Sequence, residues 1–251
     1  MWPRRWLCWL QQRVRLERRA LPALSAIASG FALSPQVVHC LQPLVLAGCD
    51  SSASLMGEFS DRISLRQRQF EAGRSCAAGL LASMGSGDTR VGIHADRSPA
   101  WPAGYVGSIS HTDMLLGVAV ARASVLRGIG IDIEGVVSVR AAWEIERMCL
   151  NQHELRRRKG LGLNRCVYAA LCFSAKEALY KCLYPLVQRY FDFHAAEIIG
   201  ICPRTGTLRL RLMQDLSDEF RAGNVMVGRY RWDGAHVFTS FELPSTQAIR
   251  V

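Results

Sequence analysis

Gly130-Ile131-Asp132-Ile133-Glu134 and Phe173-Ser174-Ala175-Lys176-Glu177-Ala178-Leu179-Tyr180-Lys181 are the two stretches on which the reading of this chain turns. The first places two carboxylates between apolar residues. A strand turns successive side chains to opposite faces, so Asp132 and Glu134 share one. The second has helical character, and Glu177 and Lys181, four apart, lie on one side of it. Together they offer three hard-oxygen ligands and an ammonium, the equipment for holding Mg²⁺ against a phosphate or pyrophosphate.

Working outward, the pattern predicts helices and strands in mixture. Residues 1–20 are an Arg-rich extension, expected to be flexible, and Trp2, Arg4, Arg5 and Trp6 there form neither a spanning segment nor a signal peptide. Helical periodicity runs from Glu58 to Met84, with Ser60 or Asp61 as candidate N-caps. Short strands are expected over Tyr105–Ile109 and Ile129–Ile133, and between them Met114–Ala121 is apolar enough to be buried on both faces. Arg122–Gly128 is the best boundary between halves. A short helix is expected over Ala141–Leu150, then a charge run from Glu154 to Lys159. A long helix follows over Cys166–Leu183, ending before Pro185. Four segments, 195–201, 208–213, 225–230 and 237–242, alternate like an antiparallel sheet, and Asp233-Gly234 marks a hairpin between the last two.

The bulk properties set limits. The chain has 251 residues, enough for a full core, and 49% hydrophobic against 21% charged residues excludes a disordered class. Its 31 Lys and Arg against 21 Asp and Glu leave a net charge of +10, which implies an anionic partner without choosing it. Nine cysteines are scattered with no C-x-x-C pair, and the six histidines do not accompany them at ligand spacing. They read as reduced thiols in a cytoplasmic protein and not as a zinc site.

G-[IV]-D-x-E followed about forty residues later by [FW]-[SC]-x-K-E-[AS]-x-x-K resembles the paired signature of the 4′-phosphopantetheinyl transferases, and this sequence keeps every charged position. Upstream, Trp101-Pro102-Ala103-Gly104-Tyr105-Val106-Gly107-Ser108-Ile109-Ser110-His111-Thr112 is similar to the W-P-x-G-x-x-G-S-[IL]-[ST]-H block of the branch that contains the enterobactin-synthase D component. Arg66-Gln67-Arg68-Gln69-Phe70-Glu71-Ala72-Gly73-Arg74 resembles the R-R-x-E-F-x-x-G-R helix of that branch, with Gln69 where the family has glutamate.

The resemblance covers roughly residues 35–243, with the blocks in family order. It implies an α+β fold of two similar halves in pseudo-twofold relation, residues 21–124 and 125–251, with the active site in the cleft between them. Such a chain would act as a monomer. It would move the phosphopantetheine arm of coenzyme A onto a serine of an acidic carrier protein, with Mg²⁺ as cofactor. The metal would be held by Asp132, Glu134 and Glu177. Glu177 is a candidate both for metal ligand and for the base that takes the serine proton, and the two roles stay open here. Catalysis is assigned to Glu177, Lys181 and Asp132, with Lys181 on the α-phosphate. Arg66, Arg74 and His111 would hold the 3′-phosphate and adenine end, with Ser110 beside them. Arg97 is a further basic contact, and Lys176 faces the pantetheine channel or the carrier protein. Gly130 is expected to permit close backbone approach. The run Arg156-Arg157-Arg158-Lys159 is either a docking patch for an acidic partner or a solvated loop.

Two rivals remain. One is a divergent homologue that binds coenzyme A without transferring its arm. The other is a basic nucleic-acid-binding protein, which should cluster Lys and Arg with exposed aromatics. The strongest motifs here are acidic, which argues against it.

Overall fold

The structure, a computed structural model, describes residues 30–44 and 55–245. The basic extension at 1–20 and the start of the amino-terminal half lie outside the described residues. The chain folds into a small sheet, a large sheet and the helices laid on them. Strand β1 (Val38–Pro43) precedes helix α1 (Leu55–Ser83), and a two-stranded hairpin follows, β2 (Gly92–Ile93) and β3 (Pro99–Ala100). Next come β4 (Tyr105–His111), β5 (Leu115–Arg122) and β6 (Leu126–Gly135). Helices α2 (Val139–Cys149), α3 (Gln152–Arg157) and α4 (Arg165–Val187) lead to β7 (Ala196–Cys202), β8 (Thr207–Leu212), β9 (Val225–Trp232) and β10 (His236–Pro244).

The small sheet has the order β1-β5-β4 and the large one β6-β10-β9-β8-β7, with every pairing antiparallel. Strand β5 is buried from Leu115 to Ala121, as its unbroken apolar run predicts. One of its faces packs Leu116, Val118 and Val120 against Ala77 and Leu81 of α1. The other packs Leu115, Ala119 and Ala121 against Ile129, Ile131 and Ile133 of β6. The largest core lies where Ala175, Ala178, Leu179 and Cys182 of α4 meet Leu208, Leu210, Val237 and Phe241 of the large sheet. Asp233-Gly234 makes the expected hairpin: Gly234 has φ +97°, and Asp233 Oδ1 accepts from the backbone N–H groups of Ala235 and His236.

Strands β4 and β6 are edges of different sheets, yet they lie side by side. Serine hydroxyls close the seam in place of a backbone ladder. Ser108 Oγ accepts from Ile131 N at 3.1 Å, and Ser110 Oγ accepts from Ile133 N at 3.2 Å. Two buried N–H groups of an edge strand are thereby satisfied by side chains spaced two residues apart.

Two boundaries differ from expectation. Helix α1 starts before Ser60 and Asp61, so neither is its N-cap. Helix α4 runs through Pro185 to Val187, beyond the expected end; proline gives up one backbone N–H there, and the helix closes soon after at Gln188, which is left-handed with φ 49° and donates its N–H to Tyr184 O. Its start follows rule: Asn164 caps it by accepting from Val167 N at 2.9 Å.

Gly130 sets the distance between β6 and α4. A Cβ there would overlap the carbonyl oxygen of Ala178 and come within 2.6 Å of Cys182 N, both rigid backbone atoms. Gly130→Ala should therefore push the helix off the strand, with a loss of at least about 1–3 kcal/mol in chemical denaturation. Wild-type stability in this variant would show that the helix can shift freely and that the contact does not set the packing.

Candidate functional site

Even-numbered residues of β6 face α4, while Ile129, Ile131 and Ile133 enter the core beneath the small sheet. Asp132 and Glu134 are therefore presented to Glu177 and Lys181, as their period-2 and i,i+4 spacings require. Asp132 is buried, and its Oδ1 accepts from Lys181 Nζ at 2.6 Å and from Ser110 Oγ at 2.9 Å. Lys181 Nζ also donates to Ile131 O and to Ser110 Oγ, each at 3.2 Å. The end of β4, the middle of β6 and α4 thus meet in one knot of side chains. Asp132 Oδ2 is buried and has no hydrogen-bond partner in this arrangement.

The electrostatics follow from this crowding. Burial, then the charge of Asp132, raise the Glu177 carboxyl to about 8, with Lys181 opposing. Glu134 is pushed well above the usual carboxylate range by burial and by Asp132 and Glu177. Burial works against the charge of Lys181, but Asp132 and Glu177 outweigh it, and the ammonium is held above its ordinary range. The charge of Asp132 raises both glutamates, and that of Glu177 adds to the rise at Glu134, a crowding of negative charge that a divalent cation would relieve.

The metal expectation can be tested on these residues. Among the described residues no three His, Cys, Asp or Glu side chains stand ready-made as a metal cluster. Lys181 already covers Asp132 Oδ1. The donor chemistry nevertheless fits Mg²⁺: all three side chains offer hard oxygens, and Asp132 Oδ2 is an acceptor without a donor.

A second group of unsatisfied atoms lies toward α1. His111 Nδ1, and Nε and Nη1 of Arg74, are buried with no partner. Burial, then Lys181, hold His111 down to about 4, with Arg66 adding and Asp132 opposing, so its imidazole is neutral at pH 7. The Arg74 guanidinium lies 4.8 Å from the Phe70 ring centre. Arg66 is exposed, and its charge is felt at His111. Gln69, the departure from the family pattern, is buried, and its amide donates to Thr112 O at 3.4 Å, a bond that a carboxylate could not donate. Arg97 stands exposed at the tip of the β2–β3 hairpin.

Lys176 lines a pocket beside Glu177, walled by Tyr180, Tyr190, Phe191 and Phe193, and its ammonium is engaged by protein groups. Nζ donates to Cys149 O at 2.6 Å and Phe193 O at 3.0 Å, and it pairs with Glu154 at 2.9 Å. Both partners are buried, so the pair is structural, and a ligand would have to displace it. Ser110 is likewise committed to the knot. Glu154, the first residue of the charge run, is fully buried and also accepts from Asn151 N and Ile198 N at 2.8 Å. The Asn151-x-x-Glu154 capping-box spacing was the signal that could have found it. Thr239 had no such signal: it pairs with Asp132 across the sheet and donates to Ser174 O at 2.9 Å, tying β10 to α4.

Comparison with known proteins bears directly on this geometry. Residues 58–121 match the 4′-phosphopantetheinyl transferase N-terminal domain, and residues 128–232 match the 4′-phosphopantetheinyl transferase superfamily. The chain belongs to the 4′-phosphopantetheinyl transferase superfamily. It is 35% identical over 143 residues to the transferase Npt of Nocardia iowensis, covering 54% of this chain and 60% of Npt. It is 33% identical over 157 residues to Svp of Streptomyces mobaraensis, covering 59% and 60%. With enterobactin synthase component D of Escherichia coli (strain K12) it shares 39% identity over 85 residues, 34% of this chain and 39% of that protein. The chain thus spans about 60% of the length of Npt and Svp. Both matched segments contribute to the knot, Ser110 from the first and Asp132 with Lys181 from the second.

The raised carboxyls make stability depend on pH. Glu177 binds its proton more tightly in the fold (about 8) than at its ordinary value of 4.5, so its contribution is full below about 4.5 and is lost as pH rises through 8. Without divalent ions the melting temperature should fall from pH 5 to 8.5. Glu177→Gln should flatten that slope and leave the residue due to Glu134. An unchanged slope in Glu177→Gln melts would remove Glu177 from the buried carboxylate cluster.

Proposed function

We propose that this chain transfers the 4′-phosphopantetheine group of coenzyme A to a serine of an acidic acyl or peptidyl carrier protein, with Mg²⁺, releasing adenosine 3′,5′-bisphosphate. The observation that carries the reading is the Lys181–Asp132–Ser110 knot beside buried Glu177, with Asp132 Oδ2 lacking a donor. Family membership supports it, since Npt and Svp are named 4′-phosphopantetheinyl transferases. The two halves would be 21–124 and 125–251 in pseudo-twofold relation, each a helix on an antiparallel sheet, with the active site in the cleft at their seam.

Each residue then has a task. Arg66, Arg74 and His111 receive the 3′-phosphate, and the buried, unpartnered donors of Arg74 suit a dianion. Lys181, held in place by Asp132, sets a positive charge beside the pyrophosphate. Asp132, Glu134 and Glu177 would hold Mg²⁺, which when bound supplies charge neutralisation for the departing nucleotide phosphate. Glu177 ligates that ion or takes the serine proton. The aromatic pocket beside Glu177 excludes water from the arm. In the balanced reaction the serine oxygen bonds to the β-phosphorus, the bond to the nucleotide phosphate breaks, and the serine proton goes to a base.

No helix among the described residues is long and apolar enough to cross a membrane, and all seven described cysteines are free, in keeping with a cytoplasmic enzyme. The net charge of +10 would steer an acidic carrier protein toward the site, with Arg156 and Lys159 exposed near the end of α3 as one approach. A nucleic-acid-binding role is not favoured, because the seam gathers Asp132, Glu134 and Glu177, whose charge repels a phosphate backbone.

The test is intact-protein mass spectrometry of an apo-carrier protein after incubation with the chain, coenzyme A and Mg²⁺. A gain of one phosphopantetheine group is expected, with at least a hundredfold lower rate for Asp132→Asn. Asn keeps the size and the acceptor for Lys181, whereas Asp132→Ala would strand a partly buried ammonium and damage the fold as well. Coenzyme A binding without any mass gain on fatty-acid, polyketide or peptide carrier proteins would favour the non-transferring homologue.

A further inference from the structure

One contact joins the two matched segments away from the knot. Tyr184 of α4 donates from its hydroxyl to Asp96 Oδ2 at 2.5 Å, across 88 residues of chain. Asp96 lies in the turn of the β2–β3 hairpin, and its other oxygen accepts from Ser98 N at 2.9 Å and Ser98 Oγ at 2.7 Å. Both carboxylate oxygens are therefore used, one to shape the turn and one to hold it against α4. These bonds, Tyr184 first, keep the Asp96 carboxyl at about 2, so it stays ionised across any assay range.

Tyr184 is placed to transmit position. It lies seven residues after Glu177 and three after Lys181, so all three project from neighbouring faces of α4. Its ring stacks on Tyr180 with centroids 5.1 Å apart and planes at 22°, and Tyr180 packs on Phe191 at 4.8 Å in the wall of the pocket beside Glu177. At the other end of the bond, the residue after Asp96 is Arg97, exposed and in the left-handed region with φ 72°. An arginine there is strained, and a fold keeps such a residue only when its surroundings over-determine it. The turn is closed by Arg97 N donating to His94 O at 2.8 Å and His94 N donating to Ser98 O at 3.0 Å.

We infer that the Tyr184–Asp96 hydrogen bond is a latch that fixes the β2–β3 hairpin to α4 and so holds the Arg97 guanidinium at a set offset from Lys181 and Glu177, where it receives a phosphate of the nucleotide cosubstrate. Tyr184 and Asp96 are positioning residues, and Arg97 makes the contact. This rests on the coenzyme A-binding reading above. It adds what Arg97 alone does not explain: an exposed hairpin with two-residue strands has few contacts of its own to hold its tip still.

The experiment is calorimetric titration of coenzyme A into wild type, Tyr184→Phe, Arg97→Ala and the double variant, with melting curves for each. Phe keeps the stack on Tyr180 and removes only the hydroxyl. Tyr184→Phe should weaken coenzyme A by about five- to tenfold, Arg97→Ala by a similar factor, and the double variant by no more than the larger single loss. In steady state the loss should appear in KM for coenzyme A and leave kcat within about twofold. Additive losses in the double variant, or an unchanged affinity in Tyr184→Phe, would overturn the latch. Absence of coenzyme A binding to the wild type would overturn the functional reading instead, so the two failures are distinct.

Discussion

The ion pair between Lys181 and Asp132 organises this molecule. It joins the long helix to the edge strand of the large sheet at 2.6 Å, and Ser110 brings in the edge of the small sheet. A buried carboxylate and ammonium are costly to desolvate, and the pair compensates only when the remaining donors and acceptors are filled. Here Lys181 uses its donors on Asp132, Ile131 O and Ser110 Oγ, while one oxygen of Asp132 is left over. Hydrophobic residues in these places would hold the elements together as well. The incomplete pairing is what makes the site chemical: it leaves an anionic lone pair, a neighbouring carboxyl at about 8 and a fixed positive charge within one seam.

The geometry depends on glycine and serine as much as on charge. Gly130 lets the helix backbone approach β6 closely enough for Lys181 to reach Asp132, because any Cβ would meet Ala178 O. Ser108 and Ser110 let two sheet edges abut without a ladder, which frees the side chains along the seam from strand register between the sheets. The motif G-I-D-I-E is thus a packing device and, in the function proposed above, a ligand set at once. Its glycine fixes distance, its isoleucines anchor the strand in the core, and its carboxylates face the helix.

Much of this was legible in the sequence. Period 2 over Ile131–Glu134 placed Asp132 and Glu134 on one face, and i,i+4 spacing placed Glu177 and Lys181 on one side of a helix. The apolar run Met114–Ala121, expected to be doubly buried, is so from Leu115 on, while Met114 is exposed. What sequence could not show was pairing across long separations. Lys176 and Lys181 are five apart on one helix, yet one neutralises Glu154 inside the fold and the other Asp132 at the seam. Periodicity assigns faces but does not say which faces are closed by a distant carboxylate. Glu154 opens a run of basic residues, and while its capping-box spacing was readable, its partners Lys176 and Ile198 N were not. The Asp96–Tyr184 bond, spanning 88 residues, had no local signature. Arg74 and His111 come from the family resemblance alone, and the structure adds that they carry buried atoms without a partner.

The central claim is that the seam binds a divalent cation together with the cosubstrate through Asp132. Electron paramagnetic resonance of Mn²⁺, a spectroscopic substitute for Mg²⁺, measures this directly. With wild type and coenzyme A present, the six-line signal of free Mn²⁺ should diminish as the ion binds near one equivalent. With Asp132→Asn, folded by circular dichroism, the signal of free ion should remain. Equal binding of Mn²⁺ by both proteins would contradict the account, because the ion would then sit somewhere other than the Asp132 seam.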